Sequence, residues 1–185
     1  MTFSTWVIVN PCSGGGATAR RWPGVAAKLE AAIGPYTTAF TEAPGHATVL
    51  AGEGLRQGAT RVLAVGGDGT ASEVVNGFFE NGGLLRGDAV FGVIDSGTGG
   101  DFRRNLGIGP GLDDQIGTIR EARPRAVSLG HLRYTASDGS QRQRYFTVVC
   151  AFGISSVVNL AVNDAPRLKR FGGSLAFIIS AVKKV

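Results

Sequence analysis

The stretch that decides the fold is Arg61-Val-Leu-Ala-Val65 followed by Gly66-Gly-Asp-Gly-Thr70 and Ala71-Ser-Glu-Val-Val-Asn-Gly77. Five residues dominated by β-formers, then a glycine-rich turn, then a helical pattern make a strand–loop–helix unit. The glycines let backbone N–H groups approach an anion without interference from a Cβ. Thr70 is placed to cap the helix, whose N-terminus attracts negative charge. A bare phosphate would be repelled by Asp68, so the aspartate suggests a metal–nucleotide or a ribose hydroxyl between them. The plain alternative is a tight strand–helix turn in which Asp68 itself is the cap.

The same unit recurs on both sides. Trp6–Asn10 is predicted to be a strand, followed by Pro11-Cys-Ser-Gly-Gly-Gly16 and a helical pattern to about Ile33, in which Pro23 suggests a late helix start. Tyr36–Phe40 reads as a strand, Gly45–Gln57 as a helix and Ala89–Ile94 as a strand leading into Ser96-Gly-Thr-Gly-Gly100. Strands alternating with helices predict an α/β fold with a doubly wound, mainly parallel sheet, whose ligands sit at the carboxyl ends of the strands. Beyond about residue 125 the pattern changes. Ala126–Thr135 and Arg142–Ala151 read as a hairpin about Ser137-Asp138-Gly139, and Val157–Val162 and Ser174–Val182 as helices. This predicts a nucleotide-binding domain over 1–125 and the start of a second, antiparallel β-rich domain over 126–185, cut short.

Composition excludes several classes. Hydrophobic residues make up 43% and charged residues 18%, which is globular rather than disordered. The first 100 residues carry 6 Lys/Arg against 8 Asp/Glu, and the remainder 13 against 6. A basic second half suits an anionic lipid or phosphate, and no aromatic-interleaved basic motif points to nucleic acid. Cys12 and Cys150 have no metal-site spacing, and a reducing cytoplasmic setting is expected. No stretch reads as a signal peptide or a membrane span.

Three phosphate-loop readings compete. A P-loop needs Gly-Lys-Ser/Thr, and no lysine here follows a glycine. A dinucleotide fingerprint is matched loosely by Gly14–Ala19, with Glu42 as the ribose acid. The Gly66–Thr70 loop is the most coherent of the three.

Taken together, Gly66-Gly-Asp-Gly-Thr-Ala-Ser-Glu-Val-Val-Asn-Gly77, Val9-Asn-Pro-Cys-Ser-Gly-Gly15, Thr41, Ser96-Gly-Thr-Gly-Gly-Asp-Phe102 and Arg144-Tyr-Phe146 through Gly153 resemble the diacylglycerol kinase catalytic domain family, which includes bacterial lipid kinases and sphingosine kinases. The resemblance implies an ATP- and Mg²⁺-dependent lipid kinase that phosphorylates a hydroxyl such as that of diacylglycerol. It places ATP on Asn10, Pro11, Ser13, Gly14, Thr41, Gly66, Gly67, Asp68, Gly69, Thr70, Ser72, Glu73 and Thr98. It makes Asp68 and Asp101 the candidates for the catalytic and metal–phosphate network. The implied partner is a lipid at the inner face of the membrane, with the protein cytoplasmic and peripheral; a homodimer is compatible. The general base and a structural Mg²⁺ site would lie later in the second domain, so these 185 residues alone are not expected to turn over. The pattern departs from the family at Gly100, where Asn is usual, at Ser128 and Ser155, where Asp is usual, and at Val148, where Asn is frequent. Two alternatives stay open: an NAD kinase-like enzyme, and an inactive nucleotide- or lipid-binding relic. His46 reads as a surface or capping residue, Glu80 as solvated, and Arg103 and Arg104 as phosphate contacts or a solvated pair. A late basic group (Arg167, Lys169, Arg170, Lys183, Lys184) reads as a charged face or a membrane patch.

Overall fold

The computed structural model describes residues 3–97, 99–148 and Cys150. The chain divides into compact units Met1–Val148 and Val149–Val185. The helices expected at Val157–Val162 and Ser174–Val182, the late basic group, Thr98 and Ser155 lie outside the described residues.

The first unit is built on a parallel sheet of β1 (Thr5–Val9), β2 (Thr37–Phe40), β3 (Arg61–Gly66) and β6 (Val90–Asp95), in the order β2-β1-β3-β6. Side chains alternate across it. Ile8, Val62 and Ala64 face α2 (His46–Arg56) and α3 (Asp68–Asn76), where Leu50, Leu55 and Val74 are fully or nearly buried. Val7, Val9, Leu63, Val65 and Ile94 face α1 (Ser13–Ile33) and α5 (Leu112–Glu121), meeting Leu29, Ile116 and Ile119. Helices thus cover both faces, as a doubly wound sheet requires, and all of β3 is buried.

Three local expectations change. Residues Gly14, Gly15 and Gly16 at the start of α1 have φ of 60°, 64° and 82°, so this turn is left-handed and regular helix begins after it. The helix then runs through Pro23, which is exposed. The carbonyl left without its N–H partner can bond to water there. The helix α3 starts at Asp68 rather than Ala71, with Gly67 as its N-cap residue and no side-chain cap. Thr70 is therefore inside the first turn and buried, not a cap. Phe79 lies beyond the helix, in a short antiparallel pair of β4 (Phe79–Glu80) and β5 (Gly83–Leu84). Between β6 and the hairpin stand α4 (Asp101–Asn105) and α5, two helices that the sequence reading did not identify, although Leu112, Ile116 and Ile119 of α5 stand at helical spacing.

The hairpin pairs β7 (Gly130–Thr135) with β8 (Gln141–Phe146), His131 opposite Tyr145. At its turn Gly139 has φ of 80°. Hydrogen bonds from Ser140 and Arg142 hold the Asp138 carboxyl below its ordinary range, those from Ser140 contributing most. The hairpin packs against α3 through Asn76 and Tyr145 within the same compact unit.

Candidate functional site

The loops that follow β1, β3 and β6 meet at the carboxyl end of the sheet, and they meet backbone to backbone. A Cβ on Gly97 would stand 2.6 Å from the Gly67 Cα, and one on Gly14 would stand 2.7 Å from the Ser96 carbonyl oxygen. No other residue type allows these approaches, which explains why glycines cluster in all three loops. Ladder-type bonds extend the sheet into the loops: the Asn10 N–H donates to the Val65 carbonyl at 2.9 Å and the Ser96 N–H to the Gly66 carbonyl at 2.9 Å.

Side chains stitch the same loops. Asn10 donates from Nδ2 to Thr70 Oγ1 at 3.0 Å, while its Oδ1 accepts the Cys12 N–H at 3.0 Å. One amide thereby fixes both the first loop and the first turn of α3. Ser13 Oγ donates to the Asn10 carbonyl at 3.0 Å and lies 2.5 Å from Thr18 Oγ1, which is 2.6 Å from Ser96 Oγ. This hydroxyl chain links the first and third loops through Thr18, which is 2% exposed. The sequence reading missed Thr18, because no pattern within one sequence pairs residues 78 positions apart.

Asp68 faces the third loop. Its Oδ2 accepts the Asp101 N–H at 3.1 Å and its Oδ1 the Phe102 N–H at 3.0 Å. The carboxylate thus caps α4, where negative charge is favoured. Asp101 turns away and pairs with Arg104, which also donates to the Gly99 carbonyl at 2.6 Å. Asp68 and Asp101 are linked through backbone, not brought together as two free carboxylates. Among the described residues no group of three or more His, Cys, Asp or Glu could hold a metal ion. The residues present do not by themselves fit a protein-held Mg²⁺, which needs an octahedral oxygen shell.

The remaining expected residues divide. Pro11 and Thr41 lie at the same end of the sheet, the Pro11 carbonyl accepting the Ala19 N–H at 3.3 Å and the Thr41 N–H bonding to the Val9 carbonyl at 2.9 Å. Gly69 is exposed, in ordinary helical backbone, with open space where a Cβ would stand. Glu73 is committed to α2: its Oε2 accepts the Ala47 N–H at 3.3 Å and its carbonyl the Thr48 hydroxyl at 2.9 Å. Ser72 gives its carbonyl to Asn76 Nδ2 at 2.7 Å. His46 accepts the Glu42 N–H on Nδ1 at 3.1 Å, a local turn bond. Glu80 pairs with Arg56. Arg103 is neither solvated nor turned to the loops' open face. It is buried, 3.2 Å from Asp95 Oδ2, and donates to the Ile108 carbonyl at 2.7 Å.

What this arrangement can do follows from α3. Its Gly67 N-cap contributes no side chain, and no side-chain cap bond reaches its first turn. Such a terminus carries unsatisfied N–H donors and the positive end of the helix dipole. With the N–H groups of Gly14 and Gly15 alongside, the donor set suits phosphate oxygens.

Comparison with known proteins gives the family and the fold. Residues 4–132 match the model of the diacylglycerol kinase catalytic domain. A diacylglycerol kinase of Staphylococcus saprophyticus is 33% identical over 174 residues, covering 94% of this chain and 52% of that protein. One of Staphylococcus carnosus is 30% identical over 178 residues, covering 96% and 53%. The chain spans about half the length of these curated relatives. A crystal structure of a diacylglycerol kinase from Bacillus anthracis str. Sterne aligns with a TM-score of 0.61 at 24% identity, over 76% of this chain and 46% of that one, and so shares the fold.

Proposed function

Because this chain belongs to the diacylglycerol kinase catalytic domain family, we propose that it is the nucleotide-binding part of an ATP-dependent lipid kinase acting on a hydroxyl such as that of diacylglycerol. The observation that carries this is the uncapped N-terminus of α3, set among touching glycine loops. In this reading the N–H groups of Asp68, Gly69 and Thr70, with those of Gly14 and Gly15, receive the ATP phosphates, and Ser13 holds the first loop in place through the Asn10 carbonyl. Asn10 and Asp68 position the loops rather than contact the reacting atoms. Mg²⁺, as the counter-ion of the nucleotide, would neutralise phosphate charge at this loop. The acceptor oxygen forms its bond to the γ-phosphorus as the bond to the bridging oxygen breaks and ADP leaves. Catalysis of this kind is mainly positioning and charge neutralisation. No described residue is given the role of general base.

No helix among the described residues is long and apolar enough to cross a membrane. The family resemblance, rather than this absence, is the ground for proposing peripheral access to lipid from the inner face of the membrane.

The test is transfer of labelled phosphate from ATP by the full-length protein, with diacylglycerol vesicles in one arm and NAD in another. Labelled lipid is expected. Labelled NAD, or no labelled product together with no Mg-ATP binding by calorimetry, would refute the proposal. Mg-ATP binding with no acceptor ever labelled would favour the relic.

A further inference from the structure

We propose that Asn76 is a positioning residue that locks the β7–β8 hairpin to the phosphate-loop helix, so that the hairpin and the loop are registered on one rod. The side-chain amide of Asn76 substitutes for a neighbouring strand. Its Oδ1 accepts the Tyr145 N–H at 2.9 Å, and its Nδ2 donates to the Tyr145 carbonyl at 2.8 Å. The same Nδ2 donates to the Ser72 carbonyl at 2.7 Å, which fixes the rotamer from within α3. Both amide donors and an acceptor position are therefore committed.

The ring of Tyr145 is held as firmly as its backbone. It stacks between Phe79, at 3.8 Å and 21°, and His131, at 4.6 Å and 12°. Phe79 is only three residues beyond Asn76, so the end of α3 and the strand that follows it grip one residue of β8 from two sides. The grip matters because Gln141 through Arg144 are exposed and a lone two-stranded ribbon is marginal. At about 1.5 Å per residue, the nine-residue α3 spans about 12 Å from Asp68 to Asn76. A helix of that length moves as a unit, so whatever sets the Asp68–Thr70 end also sets β8. Asn76 is too far along α3 to touch a nucleotide on the loop. Its loss should misplace the hairpin without weakening nucleotide binding.

The kinetic part of this inference rests on the proposed kinase function; the clamp does not. The experiment uses Asn76→Ala and Asn76→Asp in the full-length protein. The aspartate is nearly isosteric and keeps an acceptor for the Tyr145 N–H, but it turns a carboxylate oxygen on the Tyr145 and Ser72 carbonyls; unchanged exchange at the amides of β1 and β3 shows in each variant that the sheet is folded. Deuterium exchange at the Tyr145 amide in ligand-free protein should accelerate by about tenfold or more in the alanine variant. With Mg-ATP and diacylglycerol, kcat should fall about tenfold in both variants while KM for ATP stays within about twofold. Unchanged exchange at Tyr145 would overturn the clamp whatever the kinetics. A KM for ATP that rises in step with the loss of kcat would overturn the positioning role, since the whole loop would then be disturbed. A wild type that neither binds Mg-ATP nor transfers phosphate would defeat the proposed function and the kinetic half with it, leaving exchange to decide the clamp.

Discussion

The close approach of the loops has a quantitative consequence at Gly97. An added Cβ would lie 2.6 Å from the Gly67 Cα and 3.4 Å from both the Gly67 nitrogen and Asp95 Oδ1. Carbon atoms settle at roughly 3.5–4.0 Å, so Gly97→Ala must part the loops by about 1 Å. Gly67 cannot yield easily, because its carbonyl accepts the Ala71 N–H at 3.0 Å and the neighbouring Gly66 carbonyl accepts the Ser96 N–H at 2.9 Å. Overpacking of this kind costs about 1–3 kcal/mol. For a chain of this size that corresponds to a fall in Tm of roughly 2–10 °C. The matched control is Gly24→Ala, outside the loops. Gly24 is exposed within α1 with nothing within 4 Å of a Cβ. Alanine there should stabilise by about 0.5–1 kcal/mol. Thermal unfolding and calorimetric titration with Mg-ATP read both variants: Gly97→Ala should melt lower and bind about tenfold more weakly, whereas Gly24→Ala should melt higher and bind as wild type. If the two melt and bind alike, loop contact is not what shapes the site.

Other substitutions test the stitching side chains. Asn10→Ala removes the bond to Thr70 and strands the Cys12 N–H; a loss of about 1–3 kcal/mol in urea unfolding is expected, with a several-fold rise in the Mg-ATP dissociation constant. Asp68→Asn keeps an acceptor for one of the two α4 N–H groups and removes the charge. It should cost about 1 kcal/mol, read as a small fall in Tm; a collapse of turnover without loss of stability would instead give Asp68 a direct chemical part. Arg103→Met breaks the pair with Asp95, in which both side chains are 11% exposed. The expected cost is about 3–5 kcal/mol, and Asp95→Asn combined with Arg103→Met should recover a good part of it in denaturant titrations.

Why the sheet was legible and the site only partly so comes down to range. Val62, Leu63, Ala64 and Val65 are apolar on both faces because both faces are covered, and such a run between turn signals announces itself. The loops were legible because close backbone approach needs glycine, a requirement written in residue type. What was hidden are the partners of polar side chains. Asp68 could equally serve a metal or a helix end in sequence, and its two bonds come from residues 33 and 34 positions away. Thr70 fits the profile of a capping residue, but Gly67 lets the helix begin before it, and the hydroxyl turns to Asn10. Glu73, grouped with the nucleotide by resemblance, spends its carboxylate on α2. The five-residue α4 is too short to show a period, and α5 was missed although Leu112, Ile116 and Ile119 stand at helical spacing, because Asp113, Asp114 and Gly117 between them dilute its apolar character.

Gly100 shows how a departure from the family pattern can be neutral. An asparagine would tolerate the left-handed backbone at φ of 71°, so conformation alone does not demand glycine. Space does: a Cβ here would run into Asp95 Oδ2 and lie 3.1 Å from the Arg103 guanidinium. The buried Asp95–Arg103 pair occupies the volume that a side chain at 100 would need. It also supplies the order that an amide would bring, because Asp95 Oδ1 accepts the Gly97 N–H at 3.0 Å while Asp68 holds the N–H groups of Asp101 and Phe102 from the other side. The loop after β6 is therefore pinned at both ends by aspartates, and the missing amide is a change in how the loop is held. The N–H groups of Gly97, Asp101 and Phe102 are all bonded, so the loop is ordered by means other than the amide usual in the family.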